Sequence, residues 1–273
     1  MEDQCKTKYP VVLIHGFGFR DSKHLNYWGR IPKTLMKYGA SVHHGNQDGY
    51  GSVETNAAQI RENIENILKE TGADKVNLIA HSKGGMDARY MAAMPEMRGK
   101  VASLTTICTP HHGSKTMDII LKFPKFMIKI VAFFTNIWYR MLGDKKPDSM
   151  TVFHQLSTAY ALDFNKNVMD DPAVYCQSFA FVMNNMFSDI LMWLPYCVIS
   201  IVEGKNDGLV TPASAEWANF RGIVTGVSNR GISHCDEVDL RRQRFTKKEA
   251  PDKIGDIADF YINVVAELKE RGY

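Results

Sequence analysis

VNLIAHSKGGMDARY, residues 76–90, is an apolar run that meets His81-Ser82-Lys83-Gly84-Gly85 and passes directly into residues able to continue as a helix. Read as strand, tight turn and helix, it presents one serine at the apex. A serine held on a strained strand-to-helix turn needs small neighbours, because bulky side chains would collide with the adjoining strand and helix. Ala80, Gly84 and Gly85 meet that need. The pattern is G-x-S-x-G with alanine, still a small residue, at its first position. The competing reading is a serine that only caps a helix after a buried strand.

Upstream, the run Val11–Ile14 predicts a central strand that empties into His15-Gly16-Phe17-Gly18-Phe19. In open parallel sheets ligands sit at the carboxyl ends of strands, so this loop is a candidate binding element, with an ordinary turn as the alternative. Trp28, Ile31, Leu35 and Met36 space as one face of a helix ended by Gly39. Ser41-Val42-His43 reads as a weak strand, and Ala57, Ile60, Ile64, Ile67 and Leu68 repeat with a helical period up to Thr71-Gly72. Strand and helix thus alternate into residue 76, the signature of a parallel sheet covered on both faces.

Downstream, residues 86–94 read as the helix behind the serine and 101–108 as the next strand, ended by Thr109-Pro110-His111-His112-Gly113-Ser114. The adjacent histidines point apart and lack partner ligands, so loop packing and hydrogen bonding suit them better than a metal. From Met117 to Leu142 the composition shifts to Phe, Ile and Met, punctuated by Lys122, Lys125, Lys129 and Arg140. A membrane span needs roughly 20 largely uncharged residues, and Lys129, Arg140 and Pro124 break this one up. Two helices that cap an apolar pocket, or that pack into the core, are expected instead. A cationic face beside an apolar one also suits contact with a lipid surface. Further on, a helix is expected over 151–165, strands over 174–183 and 196–202, a short helix near 213–220 and a last strand over 222–227. A final amphipathic helix carries Ile254, Ile257, Tyr261, Val264 and Leu268 on one side.

The chain of 273 residues needs only one α/β domain, expected over 1–273 with the cap inserted at about 114–170. A formal charge of +3 is too small and dispersed to argue for nucleic acid. The cluster Arg241, Arg242, Arg244, Lys247 and Lys248 is flanked by acidic residues and reads as a solvated face. Five cysteines show no metal-type spacing and require no disulfide framework. The start, MEDQCKTKYP, has no apolar signal core, so a cytoplasmic location is the default expectation, with secretion the reading if a leader was removed.

Ser82, Asp207 and His234 each follow a predicted strand, in the order serine, acid, histidine expected of α/β-hydrolases. A serine hydroxyl is a weak nucleophile and needs an imidazole to take its proton. That imidazole needs an acid to fix its tautomer and stabilise the imidazolium. A tetrahedral intermediate also needs two backbone donors, and the amides of Lys83, after the serine, and Phe17, after the first strand, are placed to supply them.

At these residues the chain resembles bacterial true lipases of the Pseudomonas and Burkholderia triacylglycerol lipase type. The likeness is carried by PVVLIHGFG (10–18), VNLIAHSKGG (76–85), TPHHGS (109–114), NDGLV (206–210) and HCDEV (234–238). It implies an α/β-hydrolase fold, a mostly parallel central sheet flanked by helices with a helical lid over 117–142. It also implies hydrolysis of carboxylic esters through an acyl-serine, with Ser82, Asp207 and His234 as nucleophile, acid and base, and with no cofactor needed for catalysis. The same family implies a structural calcium through Asp236, with Asp189 as a second carboxylate. On the residues alone Asp236 serves equally as a hydrogen-bonded loop anchor. The expected partner is an ester or lipid substrate, reached with transient contact at a lipid–water interface. Against the ester hydrolase stand a non-catalytic binding protein on the same fold, and a thioesterase or amidase using the same three residues.

Overall fold

In the computed structural model, which describes residues 3–21, 26–246 and 253–273, strand and helix alternate from the start. β1 (Val11–Ile14), α1 (Ile31–Lys37), β2 (Val42–His44), α2 (Val53–Thr71), β3 (Val76–His81), α3 (Lys83–Ala92) and β4 (Val101–Ile107) come first. Four helices then intervene before the sheet resumes: α4 (Lys115–Ile120), α5 (Lys125–Met141), α6 (Ser149–Gln155) and α7 (Thr158–Asn167). β5 (Tyr175–Ala180), α8 (Trp193–Val202), α9 (Pro212–Ala215), β6 (Asn219–Ile223) and α10 (Ile257–Glu270) complete the chain.

Among the described residues the six strands are all parallel, in the order β2-β1-β3-β4-β5-β6. β1, β3 and β4 are buried at every position, as strands covered on both faces must be. Alternation along β1 assigns the two layers. Val11 and Leu13 pack with Trp28, Ile31 and Leu35 beside α1 and with Tyr261 and Val265 of α10. Val12 and Ile14 pack against Ile60 and Ile64 of α2 and Ala88 and Met91 of α3. The strand order reverses between β1 and β3, opening a crevice at their carboxyl ends. The Phe17 loop leaves β1 there, and Ser82 leaves β3.

Local chemistry sets the helix limits. Ser52 caps α2 by accepting from the Thr55 N–H, and Gly72, at φ 69°, ends it in the left-handed region. The single helix expected over 151–165 is two, because the Ser157 hydroxyl donates to the His154 carbonyl and accepts from the Tyr160 N–H, ending α6 and starting α7. Among the described residues no helix is long and apolar enough to cross a membrane. α5 instead lies on the surface, burying Ile128 and Ala132 while Phe126, Phe133, Phe134, Trp138 and Met141 are exposed.

Several expectations are corrected. The run 196–202 is not a strand but most of α8. A short Val- and Ile-rich run is ambiguous between a strand and a helix, and the place beside β5 is taken by β6. Asn206 then stops the helix, its side-chain amide donating to the Ser200 hydroxyl and the Gly204 carbonyl. Asp207 therefore follows a helix and a turn, not a strand. The last strand lies at Asn219–Ile223, ahead of its expected place, and α9 stops at Ala215. Ile254 precedes α10 and bridges to Gly226, and Met36 faces out of α1. Lys247 and Lys248 lie outside the described residues.

The helix at 193–202 gives opposite fates to neighbouring positions: Ile199 is buried and Ile201 is 86% exposed. Ile201→Ser is therefore expected to change stability by less than about 0.5 kcal/mol in urea unfolding. A loss of about 2 kcal/mol or more, as for truncation in a core, would contradict the helix.

Candidate active site

Ser82 joins β3 to α3 with φ 55° and ψ −137°, the left-handed side of the map, where a non-glycine residue is strained. Its surroundings hold it there. The Ser82 N–H donates to the Ile107 carbonyl at 2.9 Å, and its own carbonyl accepts from the Gly85 N–H at 3.0 Å and the Thr109 hydroxyl at 2.8 Å. The first turn of α3 also presses against the end of β1. A Cβ on Gly84 would lie 2.2 Å from the His15 carbonyl oxygen, so no larger residue fits the turn. Ser82 is 4% exposed, at the head of two cavities.

His234 reaches the same cleft from the segment after β6. Its Nδ1 lies 2.8 Å from Asp207 Oδ2, and its N–H donates to the Asp207 carbonyl at 2.9 Å. The other carboxylate oxygen of Asp207 accepts from the Leu209 and Val210 N–H groups, both at 2.7 Å. Burial pushes the Asp207 carboxyl up, but His234 and the hydrogen bonds outweigh it and bring it down from 3.8 to about 2. An ionised Asp207 holds Nδ1, which leaves Nε2 of His234 for the cleft.

The expected amide donors belong to the residue after Ser82 and to the loop that leaves β1. Lys83 is the first residue of α3, where a helix N–H has no intrahelical acceptor. Its side chain runs the other way, buried, with Nζ 2.7 Å from both the Gly51 carbonyl and Asp87 Oδ1. Phe17 lines both cavities. The loop it occupies is joined to α5 by the Tyr139 hydroxyl, which donates to the Gly18 carbonyl at 2.6 Å.

One cavity, about 280 Å³, is lined by Met117 and Ile120 of α4, Leu156, Leu194 and Val198 of α8, and Leu209. The other, about 300 Å³, is lined by Phe19, Tyr50, Tyr139, Met192, Leu209 and His234. Both are predominantly apolar, and α8, read in the sequence as a strand, forms one wall.

Several groups were missed. His81, the residue before Ser82, is buried between Tyr27 and Glu237: its Nδ1 lies 2.6 Å from the Tyr27 hydroxyl and its Nε2 2.8 Å from Glu237 Oε2. Its ring sits 4.3 Å from that of His234. Burial, and then the charge of His234, hold His81 well below the ordinary histidine range. Burial and the Asp207 charge push Glu237 well above the carboxylate range. Both directions favour the neutral forms of the pair beside the His234 ring. The position of Glu237 three residues after His234 was the available signal. His81, His234 and Glu237 could bring ligand atoms within 4.8 Å of one another. Both His81 nitrogens, Glu237 Oε2 and His234 Nδ1 are engaged with one another, Tyr27 and Asp207, while Glu237 Oε1 is buried without a partner among the described residues, so the group is a hydrogen-bonded network with one oxygen left over. The His111 ring is buried between Arg89 and Thr106 and stacked on Trp217, a packing role as expected. All five cysteines are free.

The two carboxylates expected to hold calcium do not fit one. Asp236 receives the guanidinium of Arg241 on both oxygens, at 2.7 and 2.5 Å. Asp189 accepts from the Leu191 N–H at 2.9 Å and the Ser233 hydroxyl at 2.6 Å. All four oxygens of the two carboxylates already accept from an N–H or O–H donor. Arg241 is thus not part of a solvated face, and Arg244 lies 3.6 Å from both Asp256 and Asp259.

Residues 9–177 match the family profile described as alpha/beta hydrolase fold. Triacylglycerol lipase 2 of Saccharomyces cerevisiae is 28% identical, over 100% of this chain and 79% of its own length. A triacylglycerol lipase of Burkholderia plantarii is 34% identical over 59% of this chain, and that match spans about half, 48%, of its length. Among solved structures, a metagenomic carboxyl esterase superposes with a TM-score of 0.70 over 97% of this chain and 76% of its own, at 17% identity, a likeness of fold.

Because folding lowers the pKa of Asp207, its ionisation favours the folded state above about pH 4, and that contribution is lost as pH falls through about 2. Asp207→Asn removes the term. In urea unfolding, wild-type stability should fall more steeply than that of the variant between those limits. Parallel slopes would contradict an ionised, buried Asp207.

Proposed function

The chain belongs to the α/β hydrolase fold family, and from that premise we infer a serine carboxylic-ester hydrolase of the lipase and esterase class in which Ser82 is the nucleophile. The observation that carries this reading is the strained Ser82 standing at the head of two apolar cavities, beside the His234–Asp207 pair at 2.8 Å. His234 takes the Ser82 proton at Nε2 as Oγ attacks the acyl carbon, and the carbonyl pair of electrons moves onto oxygen. The Phe17 and Lys83 amides meet that charge. Collapse expels the alkoxide, which takes the proton from His234. Water, deprotonated by the same imidazole, then attacks the acyl-serine and releases the acid. Each step uses protein groups and water alone.

The substrate in this reading is an ester of an apolar acid, such as an acylglycerol. The α4–α8 cavity, almost without polar lining, suits the acyl chain, and the cleft beside Tyr50, Tyr139 and His234 suits the alcohol side. The surface around the mouth fits a lipid phase. No acidic residue occurs between Leu121 and Gly143 or between Ile190 and Val202. The exposed Phe134 and Trp138 lie on α5 with Tyr139, and the exposed Leu191 and Trp193 flank Met192 in the chain; Tyr139 and Met192 line the cleft. Contiguous exposed apolar area of this kind marks an interaction site, and Lys122, Lys125, Lys129 and Arg140 add positive charge beside it. In this role α4 and α5 form the lid, and the Tyr139 to Gly18 hydrogen bond is its latch.

Hydrolysis of 4-nitrophenyl esters of increasing acyl length, and of emulsified triacylglycerol, tests the assignment. Wild type should turn over long-chain esters and the emulsion, and Ser82→Ala should lose roughly a million-fold in kcat. Turnover confined to short soluble esters would contradict the lipid-facing mouth. No difference between wild type and Ser82→Ala would contradict the nucleophile.

A further inference from the structure

The segment that carries His234 is built from acidic residues, and each is tied to a different part of the fold. Asp239 receives the Arg30 guanidinium, which also reaches Asp256, and Glu237 meets His81. Asp236 is tied by Arg241, which closes the chain back on itself five residues later. The same guanidinium lies 3.6 Å from Asp189 Oδ2 and donates to the Ser188 carbonyl at 3.3 Å. Ser233 bridges the two acids, its hydroxyl on Asp189 at 2.6 Å and its N–H on Asp236 at 3.3 Å. Both carboxylates are buried while Arg241 keeps an edge in solvent.

Two buried carboxylates on separate loops repel unless a cation stands between them. A divalent ion such as calcium would meet them with roughly six to eight oxygens. Here every carboxylate oxygen already accepts a hydrogen bond, and one planar guanidinium, with five N–H donors and a permanent charge, joins both loops. The consequence reaches the chemistry. Asp189 also anchors the start of α8 through the Leu191 N–H, and α8 walls the acyl cavity. Ser233 and Asp236 flank His234.

We propose that Arg241 is the built-in cation of this site: a positioning residue that locks the His234 segment to the Asp189 loop and makes the enzyme independent of calcium. The proposal rests on His234 being the base.

Its test pairs Arg241→Gln and Arg241→Lys with wild type on a short soluble ester, each with chelator and with added calcium, alongside thermal melts. Wild type should keep its rate and its Tm in both conditions. Arg241→Gln should lose roughly 10- to 100-fold in kcat, as removal of a group that orients a catalytic ligand does, with KM changed far less. Arg241→Lys should recover part of that loss, since the charge returns without the paired fork. In Arg241→Gln, whose two carboxylates are left facing each other, calcium should raise Tm. A wild type inactivated by chelator and restored by calcium would overturn the proposal, and so would an Arg241→Gln protein with unchanged kcat. Should Arg241→Gln fail to fold, the wild-type response to chelator and calcium still decides. A wild type inactive in every condition would instead count against the ester hydrolase reading itself.

Discussion

The backbone of Ser82 is the constraint on which the rest depends. A non-glycine residue at φ 55° costs free energy, of order 1–3 kcal/mol, and it persists because three hydrogen bonds and a close approach of helix to strand fix it. β4 holds the Ser82 N–H, Thr109 holds its carbonyl, and Gly84 lets α3 lie against the end of β1. The elbow therefore exists only when β1, β3 and β4 are side by side. That adjacency places the Phe17 loop and Ser82 at the same sheet edge, where the strand order reverses.

A second constraint is electrostatic. In the proposed reaction His234 must stay turned toward Ser82, and its Nδ1 side is fixed by acids that are themselves held. Asp207 takes two amide donors on the oxygen that does not face His234, so the imidazole nitrogen has the other to itself. Beside the ring, burial favours the neutral forms of the hydrogen-bonded His81 and Glu237, which fill the space with polar groups. Arg30 and Arg241 anchor the acids on either side.

The elbow, the sheet and the order of serine, acid and histidine were legible in the sequence because each rests on local rules: glycine where backbones touch, β-branched runs where both faces are buried, small residues around a strained serine. What failed was decided at long range. YCVISIV satisfies a strand and a helix equally, and only the occupation of the sheet edge by residues 219–223 settles it. Arg241 stands beside Arg242 and Arg244, so its charge looked solvated, yet a partner five residues back and another 52 residues back draw it inward. Of the two readings open for Asp236, the contacts favour the hydrogen-bonded anchor, because Arg241 occupies both of its oxygens, a pairing the sequence did not display. His81 and Glu237 sat inside motifs already quoted, but their contact spans 156 positions.

The exposed Phe, Trp and Leu side chains of α5 and of the start of α8, elements without acids, support the proposed approach to a lipid phase. The claim beneath all of this is that Ser82 is chemically activated, and covalent labelling by an organophosphonate probe, mapped by mass spectrometry, tests it most directly. The account predicts one adduct on the peptide that carries Ser82, formed far more slowly in His234→Ala. A folded wild-type protein that takes up no probe, or takes it up elsewhere, would contradict it.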